Sequence, residues 1–215
     1  MAAWFGREHG ASFMLVNPLH ACAPTPGMEP SPYLPVTRRY VNPLYLRVEL
    51  IPEFAYLPAE QLAQITRDAQ ALALELNTDQ QLDRNTSWKH KRDALLEIHA
   101  VELSPGRAAE YRAYRDDEGE ALVQFATWCA LSERFGPKWN EWPAEYQDQS
   151  SDEVAQFRVE HEVSVDFHCW LQWVLDQQMA QAQQAAIDAG MSVGVMHDLA
   201  VGVHPFGADT WTDGD

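Results

Sequence analysis

At 215 residues the chain suits one sizeable domain or one and a half, and its 46 % apolar and 22 % charged residues exclude wholesale disorder. Fifteen basic against thirty-two acidic residues give a formal net charge of −17, which repels phosphate backbones and anionic lipid and so disfavours nucleic-acid and membrane partners. No apolar run approaches the roughly 20 residues of a membrane span, the first residues lack a secretory-signal pattern, and three distant cysteines (Cys22, Cys129, Cys169) fit a reduced, cytoplasmic chain.

Residues 13–17, Phe-Met-Leu-Val-Asn, lie between Gly10 and Pro18 and predict a strand buried on both faces, as in parallel sheets. Seven of the thirteen prolines then fall between Pro18 and Pro43. Proline removes amide donors and breaks helices, so this tract reads as an irregular loop, kept ordered by Tyr33, Tyr40 and Tyr45. Leu44 to Leu50 alternates well enough to predict a short strand.

From Pro58 to about Ala189 the pattern is helical, opening with Leu62, Ile65, Ala69, Leu72 and Leu76 on one face. Ser87 is a candidate cap for a second helix bearing Trp88, Leu95, Leu96 and Ile98. Pro105-Gly106 reads as punctuation, and Asp116-Asp117-Glu118 as the N-terminal end of a helix stopped by Gly136-Pro137. An aromatic connection, Lys138 to Pro143, precedes one long helix from Ser151 to Ala189. Gly190 ends it, and Ser192 to Val203 predicts another buried strand. The implied division is 1–57, 58–150 and 151–215. Two core-type strands parted by a helical insertion leave a sheet incomplete, so further chain is expected.

Two ordered sets of motifs stand out. The first is Asn17-Pro18-Leu19-His20, Ser31-Pro32-Tyr33 and Arg38-Arg39-Tyr40-Val41-Asn42-Pro43-Leu44-Tyr45. The second is Phe167-His168-Cys169-Trp170-Leu171-Gln172-Trp173 followed by Asp198-Leu199-Ala200-Val201-Gly202-Val203. Together they resemble the amylomaltases, the 4-α-glucanotransferases of glycoside hydrolase family 77. The resemblance implies an α/β fold, a partial (β/α)8 TIM barrel of about two core strands with a large, mostly helical insertion, whose sites lie at the C-terminal ends of strands. It further implies retaining transfer of α-1,4-glucan segments between maltooligosaccharides, with no cofactor. In that chemistry a carboxylate attacks the anomeric carbon while an acid roughly 5 Å away protonates the leaving oxygen. The family's nucleophile lies in an Arg-Ile-Asp-His motif that is absent here. No catalytic residue is therefore assigned to this chain, which is expected to be inactive alone.

Three residues are candidates for glucan contact. Pro32 stiffens the tripeptide it centres, and a tyrosine offers a flat face to a pyranose plus a hydroxyl, so the resemblance implies Tyr33 as the platform beside the cleaved bond and Ser31 as its neighbour. Taken without the family, Tyr33 fits loop packing as well. Asp198 is a carboxylate within an apolar run, which suits a reaction-centre aspartate or a structural hydrogen bond at a strand end. Phe206 departs from the family's polar residue, and no sugar contact is carried over to it. His161 and His168 share a helical face but lack a third metal ligand. Trp139, Trp142, Trp170 and Trp173 read as cover and core, and Cys22 has no committed base. The rival reading is a non-catalytic carbohydrate-binding or helical interaction module.

Overall fold

Ahead of the first expected strand, the computed structural model, which describes residues 1–76 and 83–213, places a helix, α1 (Ala2–His9). β1 (Phe13–Val16), β2 (His20–Ala21) and β3 (Thr37–Val41) follow, then 3-10 turns at Pro43–Tyr45, Val48–Leu50 and Pro52–Tyr56. The helical tract comprises α2 (Ala59–Leu76), α3 (Arg84–His99), α4 (Pro105–Phe135), α5 (Ala144–Gln147), α6 (Asp152–Glu160) and α7 (Glu162–Asp188). β4 (Gly194–His197) and α8 (Ala208–Asp213) close the order. The architecture is mixed α/β and mostly helical. β1 pairs in parallel with β4, Phe13 opposite Gly194 through Val16 opposite His197, and β2 pairs antiparallel with β3.

The core lies where α4 meets α7. Leu122, Phe125, Trp128 and Leu131 are buried with Phe167, Trp170, Leu171 and Trp173. Burial is continuous from Phe125 to Ser132 in α4 and from Phe167 to Leu175 in α7, so both helices are enclosed on all sides there. Arg92 of α3 grips Glu133 of α4 through two bonds of 2.8 and 2.9 Å. Burial alone would raise the Glu133 carboxyl, but His168 and Arg92 together bring it down to about 2.

Several expectations are corrected. The run 13–16 is a strand but is not buried on both faces: Phe13 is 49 % and Leu15 59 % exposed. Met14, Val16 and Val195 turn instead towards Leu175, Met179 and Ala182 of α7. Leu44 to Leu50 forms no strand, because the Asn42 side chain accepts the Leu44 N–H at 3.0 Å and Pro43 starts a 3-10 turn. α3 is capped by Asp83, whose Oδ1 accepts the Thr86 N–H at 3.0 Å, while Ser87 lies inside the helix. Residues 77–82 of the expected helical tract lie outside the described residues.

Pro105 opens α4 instead of interrupting the chain, with Ser104 as its cap. Asp116 to Glu118 precede a kink at Gly119 (φ 63°, ψ −147°), a left-handed conformation that glycine tolerates best, so the acidic cluster heads only the second half of α4. The long helix is broken at His161, whose ring packs on Phe157 and meets Arg134 at 3.0 Å. The last strand is confined to Gly194–His197, and Val201 is 93 % exposed. Beyond Asp198 the chain leaves the sheet to bond the proline loop: the His204 N–H donates to Pro35 O at 2.7 Å and the Asp209 N–H to Val36 O at 3.1 Å.

That docking requires Gly207, where a Cβ would stand 2.7 Å from Val36 O and 2.8 Å from Val36 Cα. Backbone cannot yield as a flexible side chain can. Gly207→Ala is expected to destabilise the fold by roughly 1–3 kcal/mol in denaturant melts. The Glu133 contribution has the opposite pH sense to a histidine's: because the folded carboxyl is depressed, its stabilisation is present above about 4.5 and is lost as pH falls towards about 2. Glu133→Gln is expected to flatten the acid limb of stability measured across that window.

Candidate functional site

The two motif sets meet at the C-terminal ends of β1 and β4. The Asp198 N–H extends the parallel ladder by donating to Val16 O at 3.0 Å. Side chains alternate along a strand, so Asp198 shares the exposed face of Phe13, Leu15 and Met196, while His197 points the other way. Its carboxylate accepts the Leu199 N–H on Oδ1 and the Tyr33 hydroxyl on Oδ2, each at 2.8 Å. Tyr33 and Asp198 are 165 residues apart in sequence.

Tyr33 is delivered by a locally braced turn. Ser31 Oγ accepts the Tyr33 N–H at 3.3 Å, and Glu29 Oε1 accepts the Ser31 N–H at 3.0 Å. Pro32 between them fixes its own φ, so the bracket is stiff at low cost in hydrogen bonds. Both side chains remain accessible: Tyr33 is exposed and Ser31 half-buried. The hydrogen bond to Asp198 raises the Tyr33 phenol above its ordinary 10.0, because an anionic acceptor resists loss of the shared proton.

The proline loop and the segment after β4 are laced together around this pair. Arg38 Nη1 donates to Val201 O at 3.2 Å, and the Ala200 N–H donates to His20 Nε2 at 3.4 Å. Burial, with Arg38 nearby, lowers the His20 imidazole, which suits a nitrogen that must accept. A separate cavity of about 550 Å³ lies on the other side of the sheet, lined by Met14, Val16, Val195 and His197 with α1 and α7. Neither Tyr33 nor Asp198 lines it.

Residues 1–215 match the family model described as 4-alpha-glucanotransferase (glycoside hydrolase 77). The chain belongs to that family. It is 51 % identical, over 98 % of its own length, to the 4-alpha-glucanotransferase of Mycobacterium tuberculosis H37Rv. It spans 30 % of that relative. The amylomaltase structure from Corynebacterium glutamicum matches 99 % of the chain at a TM-score of 0.82 and 38 % identity, the match covering 28 % of that protein. The Streptococcus agalactiae amylomaltase, solved with acarbose, matches 98 % at a TM-score of 0.78 but 16 % identity, covering 40 % of its own chain; this likeness is one of fold.

The remaining sequence candidates in this family member sit away from the pair. Trp170 and Trp173 are core, Trp142 is buried, and Trp139 donates to Thr210 Oγ1 at 3.0 Å. Phe206 packs edge-on against Trp139 at 6.4 Å. Cys22, Cys129 and Cys169 are unpaired and buried, and burial pushes the Cys22 thiol up to about 11. His161 faces Arg134 whereas buried His168 lies 3.6 Å from Glu133. Among the described residues no group of three or more His, Cys, Asp or Glu is placed to hold a metal ion, and no described helix is long and apolar enough to cross a membrane. Gln172 and Arg38, which help fix the loops, carried no chemical signal in sequence beyond their place in the motifs, and Gln178 lies outside those motifs.

The Tyr33–Asp198 bond gives a direct test. Asp198→Asn is expected to bring the Tyr33 ionisation back down towards 10.0, read from its ring carbons in a high-pH NMR titration.

Proposed function

We propose that this chain is part of a 4-α-glucanotransferase that moves α-1,4-glucan segments between maltooligosaccharides. In this reading β1 and β4 are neighbouring strands of a (β/α)8 barrel and the helical tract is an insertion. What supports it is the parallel pairing of strands on either side of that tract, with an apolar face left uncovered. The observation that carries the functional reading is the Tyr33–Asp198 contact at the strands' C-terminal ends.

Tyr33, Ser31 and Asp198 form one wall of a glucan cleft. The exposed tyrosine ring takes the C–H face of a glucose unit, and the Asp198 carboxylate and Ser31 hydroxyl bond sugar hydroxyls. Because the Tyr33 hydroxyl is already held by Asp198, the platform is preset and binding pays less to order it. The nucleophile and the acid/base lie outside these 215 residues and close the opposite wall. Transfer beats hydrolysis where the acceptor is held and water limited, which an aromatic wall favours. The three buried, unpaired cysteines support a reducing, cytoplasmic setting.

Incubated with maltotriose, the chain alone is expected to yield neither glucose nor longer oligosaccharides by chromatography, while maltotriose shifts the Tyr33 ring signals in NMR. Tyr33→Ala is expected to weaken that binding about tenfold or more. Product formation by the chain alone overturns the placement of the reactive groups. Tyr33 signals that ignore maltotriose overturn the glucan contact.

A further inference from the structure

Three glutamines of α7 act as substitutes for a neighbouring strand. Gln172 is 4 % exposed; its Oε1 accepts the Val41 N–H at 3.0 Å and its Nε2 donates to Val41 O at 2.9 Å. Gln178 makes the same pair of bonds with Arg47, at 2.9 and 2.8 Å. Gln183 accepts the Val195 N–H at 2.7 Å and donates to Val193 O at 2.9 Å, fastening β4. A carboxamide presents one acceptor and a donor side by side, as a peptide group does.

Val41 is the residue at which this matters for the site. It ends β3 opposite His20 of β2, and the Asn42 N–H donates to Leu19 O at 2.9 Å. Val36 N–H donates to Ala21 O at 2.9 Å on the other side of an irregular step in the pairing. These few bonds are the neck of the loop that carries Ser31, Pro32 and Tyr33. A two-stranded ladder this short is marginal by itself. Gln172 supplies its missing outer edge from a rigid, buried helix, and without it a backbone donor and acceptor are stranded.

We propose that Gln172 is a positioning residue for the Tyr33 bracket: by holding both backbone groups of Val41 it sets the loop neck so that the Tyr33 hydroxyl reaches Asp198. The role deepens the glucan-contact reading of Tyr33 and rests on it for its use, but it acts on the free protein. Its failure is thus separable from that of glucan binding.

The test is made without sugar. Gln172→Met keeps the volume of the buried side chain and removes both bonds. Amide exchange at Val41 should accelerate about tenfold or more, and the Tyr33 ring signals should move towards those of Asp198→Asn. Gln172→Glu retains an acceptor for the Val41 N–H, so it should move Tyr33 in the same direction and less far, providing a second route if the methionine variant folds poorly. Gln178→Met should release Arg47 and leave Tyr33 in place. A Tyr33 spectrum unchanged when Val41 exchange has risen overturns the proposal. So does an equal displacement of Tyr33 by Gln178→Met, which would mark a general loosening of α7.

Discussion

A buried backbone without a sheet or helix of its own must find hydrogen-bond partners elsewhere, and that requirement governs the proline-rich tract. Its prolines remove donors and leave carbonyls to be satisfied. Side chains from remote sequence answer several of these groups. Asn85 Oδ1 accepts the Gly27 and Met28 N–H groups at 2.9 and 3.0 Å, and Trp88 Nε1 donates to Pro24 O at 3.2 Å. Lys91 Nζ donates to Leu44 O and Leu46 O at 2.6 and 2.8 Å, and Asp209 Oδ2 accepts the Arg38 N–H at 3.2 Å. With Gln172 and Gln178, these contacts turn an irregular segment into a fixed surface. The helical tract is therefore the frame on which the loop is hung.

Charge is handled by pairing inside the frame and by solvent outside it. Glu53 is buried, and Arg107 answers it with bonds of 2.8 and 3.2 Å while its guanidinium lies 4.0 Å over the Trp173 ring. Losing Arg107 would strand the buried Glu53 carboxylate, whereas Arg107 also bonds Gln177 at 2.8 Å and Glu110 at 3.3 Å. Asp166 is a second hub, reached by His99 at 3.0 Å and by Tyr111 and Arg115 at 2.9 Å. Burial would push its carboxyl up, but those contacts hold it below the ordinary range. The hub ties α3, α4 and α7 together. Among the described residues every acidic side chain other than Glu53 is at least partly exposed.

Where periodicity or backbone chemistry acts over a few residues, the sequence was readable. The one-faced pattern of Leu62, Ile65, Ala69, Leu72 and Leu76 became α2, and Gly136-Pro137 did stop α4. The misreadings have a common cause: a side chain or a tertiary contact outweighed the local pattern. Asn42 converted an alternating stretch into a 3-10 turn, and Asp83 took the cap expected of Ser87. Apolarity alone made Ser192 to Val203 look buried, whereas pairing with β1 ends at Asp198 and Val201 is 93 % exposed. Tyr33 and Asp198 were nameable as candidates by resemblance. Their hydrogen bond was not legible, since it joins a loop between β2 and β3 to the end of β4, 165 residues away in sequence. Gln172 stood in a visible motif, yet its partner, a backbone amide across the fold, leaves no trace in composition or spacing.

The same pairing explains why a wall of a site can be built by so little sheet. Two parallel strands of four residues do not hold together on their own pairing. Here one face is secured from behind by α1 and α7, and Gln183 grips β4 at Val193 and Val195. The other face stays open and apolar, with Phe13, Leu15 and Met196 leading to Asp198 at its upper end. Stability thus comes from the helical side and exposure from the opposite side. On the proposed reading that division is functional: the wall keeps its geometry through α7, and the strands that complete the cleft need only meet it. On the same proposed reading, a tyrosine bracket already bonded to the strand end presents one fixed surface to a glucan.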